Sequence, residues 1–460
     1  MSDDLASGTE SRKTVEFAKE PARGRRNSFS WRGYLTPDYD ENDKDLASSF
    51  GVNEIRSTVY SIGRNPKSNL ILPSPDVSRE HSKIHRIGSD FYLEDLGSRH
   101  GTYVNGDRIL WCRLSDGDIL QFGSRSKRSN LWYFDRAAIR KQTSEPPNEE
   151  ISNPRPEHFP TDQLVVTFWG CRGSVPTPGS HTEAYGGNTT CVEVRFGKSL
   201  FILDAGTGIR ALGTGWQREF QDDPLDINLF FSHLHWDHIQ GFPFLSQAYN
   251  PQNSLRIFGI DSGDATVKEM LSNQMQGRYF PIPMDAMKAK LEFENLESEI
   301  QIDDVKITSI ALPHPGGALA YKFSTESGTF IFATDCELDA IAPNADQLPT
   351  GSIDGREFPE EFIDFFQGVD LLVIDCQFTD EQYETRKGWG HNSVSTVIDF
   401  CQQTEIRSVA LTHHDPSSSD ADIRRIVEHM DRTLKATMQE MAPRVFAARE
   451  EMTVAVKNVK

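Results

Sequence analysis

Ser232-His233-Leu234-His235-Trp236-Asp237-His238 decides how the rest of the chain is read. It follows a largely apolar run, 227–231, and sets three imidazoles and one carboxylate within the six residues from His233 to His238. Imidazole nitrogen and carboxylate oxygen suit Zn, Mn or Fe. The i, i+2 spacing of His233 and His235 aims two ligands at one cation as a strand ends. Asp237 and His238, on the following turn, can reach a second.

Working outward, strand-like runs at 164–169, 190–196 and 199–203 lead into this cluster. Others follow it at 255–260, 305–312, 319–323, 329–333, 370–374 and 407–411. Helical stretches are expected at 392–403 and 421–438, so the pattern predicts a mixed, layered α/β domain. Three more candidates fall at strand ends. They are His314 in Leu312-Pro313-His314-Pro315, Asp335 in Ala333-Thr334-Asp335, and His413 in Leu411-Thr412-His413-His414. His414 competes with His413, and strand-end placement favours His413.

On these residues the chain resembles the metallo-β-lactamase superfamily over 164–460. The resemblance implies a four-layer αββα fold and two divalent ions, Zn first, with Mn or Fe as alternatives. It assigns His233, His235 and His314 to one ion, Asp237, His238 and His413 to the other, and Asp335 to the bridge. Asp204, in Leu203-Asp204-Ala205-Gly206, would orient the cluster from behind. Gly388-Trp389-Gly390-His391-Asn392-Ser393 resembles the ribonuclease Z and cyclic phosphodiesterase branch, where a non-ligand histidine precedes the last metal-ligand histidine. His391 thereby joins Asp237 as a candidate catalytic residue, able to protonate a leaving alkoxide. Arg172, in Gly170-Cys171-Arg172-Gly173, is the candidate cation for a phosphate there.

The upstream pattern differs. From 57 onward, short β-like runs separated by Gly, Pro, Asn and Ser predict a small β-sandwich. Gly63-Arg64, Ser78-Arg79-Glu80-His81, Gly101-Thr102 and Asn105-Gly106 resemble a forkhead-associated (FHA) domain over 51–136. The resemblance implies phosphothreonine contacts from Arg64, Ser78, Arg79, Thr102 and Asn105, and a phosphothreonine-containing protein as partner. His100 stands where that family usually has Asn. Residues 1–50 read as a disordered tail, with a kinase-site-like Arg25-Arg26-Asn27-Ser28 and a Thr36-Pro37 pair. Residues 137–163 read as a linker, since 141–160 holds five prolines, and a linker predicts modules that fold independently.

The whole is therefore expected to be a multidomain hydrolase, an all-β sandwich followed by an α/β domain. A net charge of −20 and the lack of a basic arm oppose a nucleic-acid polymer. A small phosphodiester such as a cyclic nucleotide is the expected substrate. A lactone or thioester on the same site, or an adaptor with an inert hydrolase fold, are the alternatives. No apolar run is long enough to span a membrane. The polar start and six cysteines without a C-x-x-C pair point to the cytoplasm.

Overall fold

The computed structural model describes residues 28–37, 53–55, 57–124, 131–141, 159–261, 265–296 and 298–456. The first unit is a β-sandwich. One sheet runs in the order Asn53–Ile55, Ser28–Pro37, Leu131–Lys141, Asp118–Phe122, Thr102–Val104 and Asp107–Ile109. The other holds Trp111–Leu114, Asp90–Asp95, Ser82–Ile87, Val59–Gly63 and Leu70–Ile71. Between them lie Leu35, Phe91, Leu93, Leu120, Trp132 and Phe134, all fully buried.

The expected tail is corrected at Ser28–Pro37, which pairs antiparallel along its whole length with Leu131–Lys141. Gly33, Leu35 and Pro37 are buried while Arg32, Tyr34 and Thr36, alternating with them, are half-buried, the period-two pattern of a strand with one covered face. Thr36 sits opposite Tyr133 inside this ladder. Arg25, Arg26 and Asn27 lie outside the described residues. Leu131–Lys141 also carries the sandwich past 136, into the expected linker.

The second unit has two sheets with helices outside both. Five strands from Cys191–Phe196 to Lys290–Asn295, with Leu164–Gly170 and Met452–Val456, form the first sheet. Its outer face is covered by helix Ile209–Phe220 through Ile209, Leu212 and Trp216. The second sheet runs Glu299–Ile302, Val305–Leu312, Ala318–Thr325, Gly328–Ala333, Leu371–Asp375, Ser408–Thr412 and Arg444–Ala447. Helices Glu360–Phe366, Val394–Thr404 and Asp420–Met438 pack on it. Aromatic rings fill the space between the sheets, with Phe201 and Phe323 at 5.3 Å and Phe230 and Tyr321 at 5.2 Å between centroids. This is the expected αββα layering.

The two units are not the loosely tethered pair that a linker predicts. Strand Met452–Val456 pairs with Leu164–Gly170 on one side and meets Trp111 of the sandwich at Thr453 on the other, so one sheet of twelve strands crosses both units. Leu110 N donates to Thr453 O at 2.9 Å. Buried Arg449 donates to both Asp118 oxygens, at 3.1 and 3.3 Å, and to the Arg113 carbonyl. Tyr92 donates to Glu451 at 3.0 Å, and Arg136 to Glu183 at 3.0 Å. All six cysteines are buried and free. Among the described residues no helix is long and apolar enough to cross a membrane.

Candidate metal centre

The cluster collects where strands end. His233 and His235 follow strand Asp226–Phe230, and His235 caps the short helix Trp236–Ile239 that carries Asp237 and His238. His314 lies in the turn between Val305–Leu312 and Ala318–Thr325. Asp204, Asp335 and His413 each come just after a strand, and each has a positive φ, of 59°, 60° and 53°. Left-handed backbone at non-glycine residues is costly and concentrates at functional sites. Here it turns each side chain sharply off its strand toward one point.

Two groups of donor atoms result. His233, His235, His314 and Asp335 form one, and Asp237, His238 and His413 the other, each with its ligand atoms within 4.8 Å of one another. In the first, His235 Nδ1 and His314 Nε2 stand 3.0 Å apart. In the second, His238 Nε2 and His413 Nε2 stand 3.3 Å apart, and Asp237 Oδ2 is 3.1 Å from His413 Nε2. Asp335 faces both. Its Oδ2 is 3.6 and 3.7 Å from His233 and His314, and its Oδ1 is 3.2 Å from both His238 and His413.

Divalent cations fit these groups on the chain's own evidence. His233 Nε2 is buried and has no hydrogen-bond partner, an expense a folded chain avoids unless something else binds the atom. The outward nitrogens of His238 and His314 are meanwhile fixed. His238 Nδ1 is 2.8 Å from Asp204 Oδ2, and Asp204 in turn accepts from Ser232 N and Oγ at 2.7 Å each. His314 Nδ1 donates to Gly390 O at 3.0 Å, leaving Nε2 to face inward. A Cβ on Gly390 would come within 2.2 Å of that imidazole, so the close approach demands glycine. Burial alone would raise the Asp335 carboxyl, but His413, His238 and His233 outweigh it and hold it well below the usual range.

His391 joins the edge of the cluster. It is buried, stacks on His413 at 4.9 Å, and groups with Asp335 and His413. Its Nδ1 is 3.4 Å from Asp375 Oδ2, close enough for charge attraction but not aligned as a hydrogen bond. His414 points away, its Nε2 3.1 Å from Ala448 O, and burial drops its imidazole to about 3. Arg172 is corrected. It is fully buried, donates to the Gly186 and Ser418 carbonyls at 2.8 and 2.7 Å, and braces loops instead of facing a ligand.

Two residues absent from the sequence reading prove central. Glu337 accepts from Gly388 N and Gly390 N, both at 2.7 Å, and so holds the loop behind His314 and His391. Asp375 accepts from Cys336 N and Asn392 N, tying the Asp335 turn to the His391 turn.

In the sandwich, three loops converge. Arg64 N donates to Ser78 O at 2.9 Å and Arg99 N to Ser78 Oγ at 3.2 Å. His81 ties the loops from inside, its Nδ1 accepting from Ser78 N at 3.0 Å and its Nε2 lying 3.1 Å from Gly101 O. Arg64, Arg79 and Arg99 are exposed around this point. Arg99 escaped the sequence reading. Thr102 is corrected. Thr102 is fully buried, with its hydroxyl donating to Asp95 at 2.6 Å. The Asn105 amide donates to Asp118 at 2.8 Å and accepts from Ile119 N at 2.9 Å, which fixes its own turn.

The family described as FHA domain matches residues 60–123, and the family described as β-lactamase superfamily domain matches 200–414. The chain joins an FHA domain to a β-lactamase-superfamily domain. A ribonuclease Z of Haloarcula marismortui is 24% identical over 287 residues, covering 54% of this chain and 86% of that one. Unliganded yeast PDE1 resembles the hydrolase part at 14% identity with a TM-score of 0.45, covering 64% of this chain and 99% of that one. An FHA structure described for phosphothreonine-dependent interactions is 27% identical, with a TM-score of 0.19, over 23% of this chain and 95% of that one. The β-lactamase-superfamily part is a metal-dependent hydrolase related to ribonuclease Z.

Proposed function

We propose that the chain is a dinuclear phosphodiesterase for a small phosphodiester such as a cyclic nucleotide, directed to phosphothreonine proteins by its FHA domain. The observation that carries this reading is the pair of donor groups joined by Asp335, with His391 at their edge. His233, His235 and His314 would hold one divalent ion, zinc in the first instance, and Asp237, His238 and His413 the other. Two such ions lower the pKa of a shared water and polarise a substrate oxygen. Asp204 and Gly390 keep the imidazoles turned inward. Asp375 beside Nδ1 leaves His391 Nε2 to hand a proton to the departing alkoxide. In the FHA domain, Arg64, Ser78, Arg79 and Arg99 supply the donors a phosphate needs.

Ribonuclease Z relatives favour RNA as a second substrate class. The net charge of −20 and the burial of Arg172 weigh against a long polyanion. Metal analysis of the purified protein, with parallel assays on bis(p-nitrophenyl) phosphate, a cyclic nucleotide, a lactone and precursor tRNA, tests the reading. It predicts close to two ions per chain and turnover of the two small phosphodiesters. Turnover of the lactone alone, or less than one ion with no gain from added Zn or Mn, would overturn it.

A further inference from the structure

The turn Gly388-Trp389-Gly390 has two sides with different tasks. Its inner side serves the cluster, since Gly390 O accepts from His314 Nδ1 and His391 follows directly. Its outer residue, Trp389, is 61% exposed. The turn is held there firmly. Glu337, only 5% exposed, accepts from the amides on either side of the indole and from Tyr383 Oη at 2.8 Å, while Gly388 and Gly390 adopt φ of 83° and 90°. Arg386 lies behind, its guanidinium 5.9 Å from the Trp389 ring and 4.8 Å from Phe378.

A second exposed indole is carried within the cluster's own stretch of chain. Trp236, 69% exposed, sits between His235 and Asp237. His314 touches His235 on one side and Gly390 on the other, so it stands between the two loops that carry the indoles. Large rings held rigidly in water at the edge of a reactive cluster mark a contact surface. An acyl chain gains most from enclosure, which two exposed rings do not offer. A flat base gains from face contact, and every base has a face.

We propose that Trp389, set in place by Glu337, stacks on the base of a nucleotide phosphodiester, with Trp236 forming a second wall of the same subsite. The proposal rests on the phosphodiesterase reading and names its substrate class. With Arg172 buried and the chain acidic, stacking supplies the affinity that basic side chains supply elsewhere.

The test uses the full-length, manganese-loaded protein as wild type, Trp389→Ala, Trp389→Phe and Glu337→Gln. Each is assayed on cyclic AMP and on base-free ribose cyclic phosphate. Indole fluorescence is titrated in parallel with AMP and with ribose 5-phosphate. Trp389→Ala should lower the preference for cyclic AMP over the base-free ester about tenfold, through KM. Trp389→Phe should restore most of it, and Glu337→Gln should fall between. AMP should quench wild-type fluorescence, ribose 5-phosphate should not, and Trp389→Ala should lose most of that quenching and need about tenfold more AMP for what Trp236 still reports. Equal losses on both esters, or AMP quenching unchanged in amplitude and midpoint in Trp389→Ala, overturn the proposal. So does a shifted elution volume with unchanged preference, which would give the ring to self-association. If neither ester turns over, the phosphodiesterase reading fails, and the quenching titration still decides whether the ring takes a base.

Discussion

The two loop clusters of this chain are built with opposite signs. In the FHA domain, Arg64, Arg79 and Arg99 stand exposed around Ser78, cations supplied by the chain and kept in water. In the hydrolase domain, Asp204, Asp237 and Asp335 lie buried among imidazoles, and Arg172 is fully buried. A phosphate could meet the first surface directly. It could meet the second only after the carboxylates and imidazoles had gathered cations of their own. On the proposed function the difference separates holding from cleaving: fixed guanidinium groups bind a phosphate strongly, whereas metal ions also generate a nucleophile.

The largest break in this contrast comes from Asp335→Ala or His235→Ala. Each should remove hydrolysis to background and lower bound metal, measured by elemental analysis, while phosphothreonine-peptide affinity stays at the wild-type value. His391→Ala should keep the metal yet slow turnover by about 10²–10⁴-fold on esters with poor leaving groups. The loss should shrink as the leaving group improves, because good leaving groups need no proton. An equal loss across a leaving-group series would assign His391 to architecture alone.

The joint between the units comes next. Arg449→Ala leaves Asp118 buried with its Ser115 and Asn105 donors but without its cation. Removing one partner of a buried pair costs about 3 kcal/mol or more. Urea unfolding should therefore show a lowered midpoint for the FHA unit and two separated transitions. The smallest effect is expected from Arg64→Ala. Loss of charged hydrogen bonds worth about 1.5–3 kcal/mol should weaken phosphothreonine-peptide binding some ten- to hundredfold, read by titration against an unphosphorylated control. Hydrolysis of a small ester should not change.

The site was legible where chemistry is carried by rare residue types at the ends of apolar runs. His233 to His238 announce themselves, and His314, Asp335 and His413 each close a recognisable strand. Even the choice of His413 over His414 follows from where strand Ser408–Thr412 stops. What stayed hidden acts through backbone or burial. Glu337 works on amides 51 and 53 positions away, a relation that leaves no periodic trace. Arg172 beside glycines reads as an exposed loop cation, because local sequence does not report that Gly186 and Ser418 will cover it. Ser28–Pro37 reads as tail because Gly33 and Pro37 are poor strand formers, and pairing with Leu131–Lys141 overrides that preference. The final strand, Met452–Val456, gives no hint in sequence that it is shared by two domains.

That shared strand has a further consequence for choice of partner. Two domains on a flexible tether sample many relative orientations, and anything phosphorylated and nearby is eventually presented to the catalytic mouth. Here the angle between the loops around Ser78 and the metal-ligand cluster is set by ladder hydrogen bonds and by Arg449. A protein held by its phosphothreonine would show the hydrolase one fixed arc of its own surface. Its shape, as well as its phosphorylation, would then decide whether it shields the mouth or leaves it open.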